Sequence, residues 1–132
     1  MSDKKMIMVV DDDGQTVYLL TKLLTAEGFN VTSVNSGKEC LECIENVKPD
    51  LVILDMMMTE MTGIDVAYAI KKKPEAEHTK ILFLTSLTKE ESDSLISDKF
   101  KTLSMKMQAL DYIKKPFKNE DFVKRVKDAL SK

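Results

Sequence analysis

The sequence predicts an α/β protein whose doubly wound, five-stranded parallel sheet carries helices on both faces. Short apolar runs alternate five times with amphipathic stretches of helical spacing along the 132 residues, and the connections between them are short. Two of the runs lack any alternation of polar and apolar residues, which is typical of strands buried on both faces. Such regular alternation of strands and helices favours parallel pairing with right-handed crossovers.

The first two predicted βα units are delimited by turn and cap residues. The first strand covers residues 6–10, and the helix after it ends near Gly28, since glycine commonly follows a last helical turn. The second strand alternates over residues 29–34. Ser36 and Glu39 then have the spacing of a capping box, which opens the second helix.

The third unit surrounds the most hydrophobic run of the chain. This run covers residues 51–54 and ends on Asp55. Thr62 and Asp65 have the spacing of a helix cap, so the third helix is predicted to begin there. Pro74 ends that helix, because a proline ring does not fit a helix interior.

The last two units complete the predicted sheet. The fourth strand, residues 81–84, ends on Thr85, and Thr88 caps a polar-faced helix after it. Residues 112–113 form a short fifth strand, and Asn119 is predicted to cap the final helix.

Composition and charge exclude several classes of protein. Apolar residues make up 43% of the chain, and 20 basic residues face 22 acidic ones, which argues against a polybasic nucleic-acid binder. No apolar run approaches the roughly 20 residues of a membrane span, and the N-terminal run is too short for a signal peptide. We therefore expect one cytoplasmic domain over residues 1–132, with no second domain and no direct contact with nucleic acid or membrane.

Polar and charged side chains follow the predicted strands at one edge of the sheet, where ligands of such sheets gather. In chain order these residues are Asp11, Asp12, Asp55, Thr85 and Lys115. Two carboxylates about 4 Å apart repel by roughly 4 kcal/mol at an effective dielectric constant of 20, so either some are protonated or a cation neutralises them. Oxygen ligands suit Mg²⁺, and a hydroxyl and a lysine nearby suit a phosphoryl group.

These residues, in this order, resemble the receiver domain of two-component response regulators. The matching segments are residues 9–12, Leu54–Asp55 with Gly63 eight residues on, Leu84–Thr85, and residues 112–117. The resemblance covers nearly the whole chain, so no output domain is expected within residues 1–132, and it implies a flavodoxin-like sheet of strand order 2-1-3-4-5. It also implies a signalling switch rather than a conventional enzyme, one that promotes its own phosphorylation and dephosphorylation. Its expected partners are a sensor histidine kinase or a histidine phosphotransfer protein and a downstream effector protein.

The resemblance implies a role for each residue of the site. Asp55 is expected to be the phosphoacceptor, which attacks a phosphohistidine to give an acyl phosphate. Asp12 and Asp55 would bind Mg²⁺ directly, with Mn²⁺ as an alternative ion. Asp11 would bind it through a water, and Met57 through its backbone carbonyl.

The resemblance also assigns roles to three residues that would bind the phosphoryl group or respond to it. Lys115 would pair with one phosphoryl oxygen, and Thr85 would donate its hydroxyl to another. Tyr112 resembles the aromatic switch residue that turns inward when Thr85 is drawn to the phosphate. The Lys115–Pro116 bond is expected to be cis, and a homodimer is expected through the fourth helix, fifth strand and fifth helix.

Several positions depart from the family pattern. Thr59 stands where proline is usual, and Thr62 replaces a common acidic residue. The segment between Thr85 and Lys115 is about two helical turns longer than expected, and our hypothesis is that residues 94–108 form a modified partner surface. Apolar residues recur in it at helical spacing, at Phe100, Leu103, Met107 and Leu110. Met57 and Leu87 are both apolar and cannot position an attacking water, so the phosphorylated state is expected to be long-lived.

These motifs also allow other interpretations. A phosphohydrolase of the haloacid dehalogenase type would carry an acid where Met57 stands, and a flavodoxin would have a first loop rich in Ser, Thr and Gly instead of the acidic residues 11–13. A receiver-shaped scaffold that is never phosphorylated is a third alternative. The acidic loop could also simply cap a helix. Cys40 and Cys43 lie inside a predicted helix and are expected to be structural, and His78 is expected to be a surface residue.

Overall fold

The structure, a computed structural model, describes residues 4–76, 79–99 and 110–131, over which five strands and five helices alternate. The strands are β1 (Met6–Val10), β2 (Asn30–Val34), β3 (Leu51–Asp55), β4 (Lys80–Thr85) and β5 (Leu110–Lys114). The helices are α1 (Gly14–Ala26), α2 (Gly37–Val47), α3 (Gly63–Lys72), α4 (Lys89–Lys99) and α5 (Asn119–Leu130). The alternation confirms the predicted fold class.

The strands form one parallel sheet in the order β2-β1-β3-β4-β5, as the resemblance implied. The chain passes from β1 outwards to β2 and then returns to the other side of β1 to form β3. This reversal lies between β1 and β3, and it opens a crevice at their carboxyl ends. Asp11, Asp12 and Asp55 stand at this crevice.

Two hydrophobic clusters cover the two faces of the sheet. One includes buried residues of α2, α3 and α4, and the other includes buried residues of α1 and α5. All five residues of β3 are buried, and Val52 and Leu54 join the first cluster while Leu51 and Ile53 join the second. Each fully buried Leu, Ile or Val side chain contributes roughly 1.5–3 kcal/mol to folding, so β3 is fixed from both sides.

The predicted caps of three helices are present. The side-chain oxygen of each cap residue accepts a hydrogen bond of 3.1 Å from the backbone N–H three residues later: Ser36 from Glu39, Thr62 from Asp65 and Thr88 from Glu91. Gly28 has a φ of 91°, a conformation that favours glycine, and it follows the end of α1 as predicted.

Two predicted boundaries are wrong. Asn119 does not cap α5 but is its first helical residue, and Lys118 occupies the cap position without a side-chain hydrogen bond. Lysine has no acceptor to offer there, and the acidic side chains of the first turn favour the positive end of the helix dipole instead. Leu110 begins β5 and pairs with Ile81, so its helical spacing with upstream residues does not reflect a helix at this position.

Some expectations fall on residues that the structure does not describe. Phe100, Leu103, Met107 and His78 lie outside the described residues, and so does the greater part of the expected partner surface at residues 94–108. Within the described ranges, no helix has the length and apolar character that crossing a membrane requires.

Candidate functional site

Three carboxylates meet at the carboxyl ends of β1 and β3. One oxygen from each of Asp11, Asp12 and Asp55 lies within 4.8 Å of the others. Asp11 is fully buried and Asp55 is 7% exposed, whereas Asp12 is exposed. We call these three residues the acidic pocket. Asp11 and Asp12 are adjacent in sequence and precede Asp55 by 44 and 43 residues, and the three come together because β1 and β3 are neighbours in the sheet.

Lys115 reaches the acidic pocket from the end of β5. Its Nζ lies 3.8 Å from Asp11 Oδ2 and 3.7 Å from Asp55 Oδ2. The backbone N–H of Lys115 donates to the Thr85 carbonyl at 2.7 Å, which ties this residue to the end of β4. The Lys115–Pro116 bond is cis. The structure therefore brings a single ammonium group between two buried carboxylates.

Burial dominates the electrostatics of Asp11. It raises the pKa of this carboxyl from 3.8 to about 6. The N–H of Asp13 donates to Asp11 Oδ1 at 2.9 Å and opposes this rise of the pKa. The negative charge of Asp55 raises the pKa further, and the positive charge of Lys115 lowers it. Among the described residues, Asp11 Oδ2 is buried and has no hydrogen-bond partner. A buried carboxylate oxygen left in this way destabilises the fold, and a bound cation would offset that cost.

The other two carboxylates are oriented by the loop after β3. The N–H of Met57 donates to Asp55 Oδ1 at 3.2 Å. The backbone N–H and the hydroxyl of Thr59 both donate to Asp12 Oδ2, at 3.1 and 3.3 Å. The loop therefore contributes polar hydrogens to two members of the acidic pocket. Sequence reasoning noted Thr59 only as a departure from the family pattern, because the partner of its N–H lies 47 residues away.

Asp13 has a different role from Asp11 and Asp12, which belong to the acidic pocket. It is the cap residue of α1 and accepts hydrogen bonds from the Gln15 N–H at 3.2 Å and the Thr16 hydroxyl at 2.8 Å. The helix-cap interpretation of the acidic loop thus applies to Asp13, while Asp11 and Asp12 point their carboxylates to the pocket.

Close packing of α3 on β3 explains why a glycine, Gly63, stands eight residues after Asp55. Its N–H donates to the Met56 carbonyl at 2.8 Å, so the start of α3 packs directly on the end of β3. A Cβ at this position would lie 2.1 Å from the Asp55 carbonyl oxygen and 2.8 Å from Met56 Cα. Backbone atoms cannot easily move away, so only glycine allows this approach.

Thr85 and Tyr112 lie on the β4 and β5 side of the pocket. Thr85 is 2% exposed, and its Oγ1 accepts a hydrogen bond of 3.0 Å from the Leu87 N–H. Tyr112 stacks on Phe83 with ring centroids 6.1 Å apart. Its hydroxyl donates a hydrogen bond of 2.7 Å to Asp93 Oδ1 of α4. No contact between this hydroxyl and Thr85 is present among the described residues.

Asp93 was not predicted from the sequence. It accepts hydrogen bonds from both Tyr112 and Lys89, and these lower the pKa of its carboxyl. Burial and the bond to Asp93 raise the pKa of the Tyr112 hydroxyl above its ordinary range. The spacing of Lys89 and Asp93 suggests only a surface ion pair on a helix, and the bond to Tyr112 depends on how α4 packs beside β5.

The cysteine pair does not form a second chemical site. Cys40 is buried and Cys43 is half-buried, and both are free thiols. Burial raises the pKa of the Cys40 thiol to about 12, which suppresses the reactive thiolate form. Among the described residues, the acidic pocket is the cluster of acids, histidines and cysteines that could hold a metal ion.

Comparison with known proteins identifies the family. The profile of the response regulator receiver domain matches residues 7–127. The DNA-binding response regulator MtrA of Mycobacterium tuberculosis is 34% identical over 127 residues, which are 96% of this chain and 51% of MtrA. The chain spans about half the length of the curated relatives it matches.

Solved structures of similar chains have the same fold. The chemotaxis protein CheY4 of Vibrio cholerae superposes with a TM-score of 0.82 at 25% identity, covering 96% of this chain and 98% of CheY4. The receiver domain of the sensor histidine kinase PA1611 of Pseudomonas aeruginosa, solved with a magnesium ion in its active site cleft, has a TM-score of 0.81 at 19% identity over 98% of this chain and 99% of that one. The chain therefore belongs to the response regulator receiver domain family, the signalling domain of two-component systems.

Proposed function

We propose that this domain is a phosphorylatable switch that accepts a phosphoryl group on Asp55 and changes its partner binding in response. The observation that carries this proposal is the arrangement around Asp55. Its carboxylate lies in a pocket with Asp11 and Asp12, 3.7 Å from the Lys115 ammonium and beside the strand that ends on Thr85. Receiver domains are signalling domains, so the purpose of this chemistry is switching rather than turnover.

In the proposed transfer, a carboxylate oxygen of Asp55 forms a bond to phosphorus. The bond from phosphorus to the histidine nitrogen of the donor breaks, and that nitrogen keeps the electron pair. The Met57 N–H holds the attacking carboxylate in place, and Lys115 offsets the negative charge that gathers around it. The buried hydroxyl of Thr85 is the donor proposed to bind the new phosphoryl oxygens.

The acidic pocket is proposed to hold Mg²⁺, or Mn²⁺ in its place. Asp12 and Asp55 would bind the ion directly, Asp11 through a water and Met57 through its backbone carbonyl. The buried oxygen of Asp11, which accepts no hydrogen bond, and the oxygen-only set of donors fit a hard divalent cation. When bound, the ion supplies positive charge that neutralises phosphoryl oxygens.

The switch is proposed to connect Thr85 to Tyr112. Phosphorylation would draw the Thr85 hydroxyl towards the phosphoryl group, and Tyr112 would turn inward. This movement requires the hydrogen bond between Tyr112 and Asp93 to break, so the position of α4 relative to β5 would change with it. Because α4 and β5 are surface elements on that side, the change would reach a binding partner.

The proposed partners are a sensor histidine kinase or histidine phosphotransfer protein as phosphoryl donor, and a downstream effector. We also propose a homodimer that forms through α4, β5 and α5. A cytoplasmic location is a further prediction.

The central test is incubation with acetyl phosphate and Mg²⁺, followed by intact mass measurement. We expect the wild type to gain the mass of one phosphate and Asp55→Ala to gain none. Asp13→Asn is the matched control, because Asp13 caps α1 and lies outside the acidic pocket. No gain on the wild type, or an undiminished gain on Asp55→Ala, would contradict the proposal.

A further inference from the structure

We infer that Thr59 is a positioning residue for the cation site, which holds Asp12 in the orientation that binds the ion. The inference rests on the proposed function, since it concerns the same acidic pocket. It begins from an asymmetry within that pocket. Asp11 is buried and Asp55 is nearly so, but Asp12 is exposed on the side of the loop after β3. An exposed carboxylate samples several rotamers unless neighbouring groups restrain it.

Thr59 is the restraint that the structure provides. Its backbone N–H and its hydroxyl converge on the same oxygen of Asp12, at 3.1 and 3.3 Å. These two bonds fix Oδ2, and Oδ1 receives no hydrogen bond from the described residues. The carboxylate therefore keeps one oxygen free while its orientation is held. A ligating carboxylate commonly has such a partner, and it affects metal affinity strongly.

The two bonds also join separate parts of the chain. Asp12 follows β1, whereas Thr59 lies in the loop that connects Asp55 to α3. The same loop contributes the Met57 N–H to Asp55. A single loop thus orients both carboxylates that are proposed to bind the ion directly. The three carboxylates already lie within 4.8 Å of one another while Thr59 is bonded to Asp12. The hydrogen bonds from Thr59 therefore need not break when an ion enters.

The test is the affinity for magnesium chloride, measured by calorimetry on the full chain without phosphodonor. Thr59→Val keeps the shape and the N–H but removes the hydroxyl donor, and we expect the Kd for Mg²⁺ to rise about threefold. Thr59→Pro introduces the residue that is usual in the family but removes both donors on which Asp12 of this chain depends, so we expect a rise of about tenfold. Thr59→Ser keeps both donors and should retain the wild-type affinity.

Thr16→Val is the matched control. The Thr16 hydroxyl donates to Asp13 at 2.8 Å, so this variant loses the same kind of bond to an acid outside the pocket. We expect its Mg²⁺ affinity to equal that of the wild type. Urea unfolding without metal shows which variants fold normally. If Thr59→Pro does not fold, the comparison of Thr59→Val with Thr59→Ser decides the question.

Three outcomes are distinguishable. Weaker binding by the Thr59→Val variant, with wild-type binding by the serine and Thr16 variants, would support the inference. Equal or tighter binding by Thr59→Val and Thr59→Pro would overturn it, because Thr59 would then be neutral or would compete with the ion. A wild type that binds no Mg²⁺ and gains no phosphate would instead overturn the proposed function, and this inference with it.

Discussion

The strongest stability prediction concerns Asp11→Asn in the metal-free protein. Asp11 is fully buried, and folding raises the pKa of its carboxyl from 3.8 to about 6. At pH 7 this difference corresponds to about 3 kcal/mol by which the ionised carboxylate destabilises the fold. Asparagine has the same shape and no charge, so the variant should be more stable than the wild type by up to about 3 kcal/mol.

The nearby charges do not change the sign of this effect. Repulsion between Asp11 and Asp55, with oxygens within 4.8 Å, is at least about 3.5 kcal/mol at an effective dielectric constant of 20. Attraction between Asp11 and Lys115 at 3.8 Å is about 4 kcal/mol on the same scale. The two nearly cancel, and desolvation of the buried carboxylate remains as the dominant contribution.

The effect depends on pH in a defined direction. Because the pKa is raised on folding, the stability that protonation contributes is fully present below about pH 4 and is lost as the pH rises through about 6. The advantage of Asp11→Asn should therefore be largest at pH 7, fall to about half at pH 5, and nearly vanish near pH 4. Urea unfolding with a chelator present, followed by circular dichroism at these three pH values, measures it.

Asp13→Asn provides the control for this experiment. It makes the same chemical change two residues away, but Asp13 is exposed and caps α1, where asparagine caps equally well. Its stability should stay close to that of the wild type. An Asp11→Asn variant that is no more stable than the wild type at pH 7, or whose added stability grows as the pH falls, would show that the buried Asp11 carboxylate does not destabilise the fold.

Three further predictions follow from the site. Gly63→Ala should destabilise the domain by about 3 kcal/mol in urea unfolding, because the new Cβ would meet the strand backbone. Gly14→Ala is the control and should not cause this loss, because its Cβ would meet nothing within 4 Å. Equal losses of stability in the two variants would contradict the prediction. The phosphorylated protein, followed by intact mass after phosphodonor removal, should last minutes or longer, and Met57→Gln should shorten its lifetime; a half-life of seconds would contradict the expectation. Tyr112→Phe should destabilise the unphosphorylated domain by about 1 kcal/mol in urea unfolding, because the hydrogen bond to Asp93 is lost, and an unchanged stability would contradict this.

Much of the fold could be predicted because its signals are local. Strand β3 is a continuous apolar run, and three helix caps follow from side chains three residues apart. The acidic pocket was predictable as well, since parallel strands bring their carboxyl ends to one edge. One of the two wrong predictions, at Leu110, has a long-range cause. Leu110 pairs with Ile81 in the sheet, and this long-range pairing outweighs the local helical spacing.

The parts of the site that were not predicted depend on contacts between distant segments. The bonds from Thr59 to Asp12 span 47 residues, and that from Tyr112 to Asp93 spans 19. Neither contact has a periodic pattern, and both depend on how a loop or helix packs against its neighbour. The residue types were visible in the sequence, but their partners were not.

The burial of β3 on both faces has a consequence for motion. Its residues belong alternately to the two hydrophobic clusters and pair with β1 and β4 on either side. Amide hydrogens of this strand should exchange with solvent only when the whole domain unfolds. Asp55 therefore stands at the end of a strand that is held on both faces and at both edges. A conformational signal that starts there would pass outwards to the edge strand β5 and to α4, where less structure has to be disrupted.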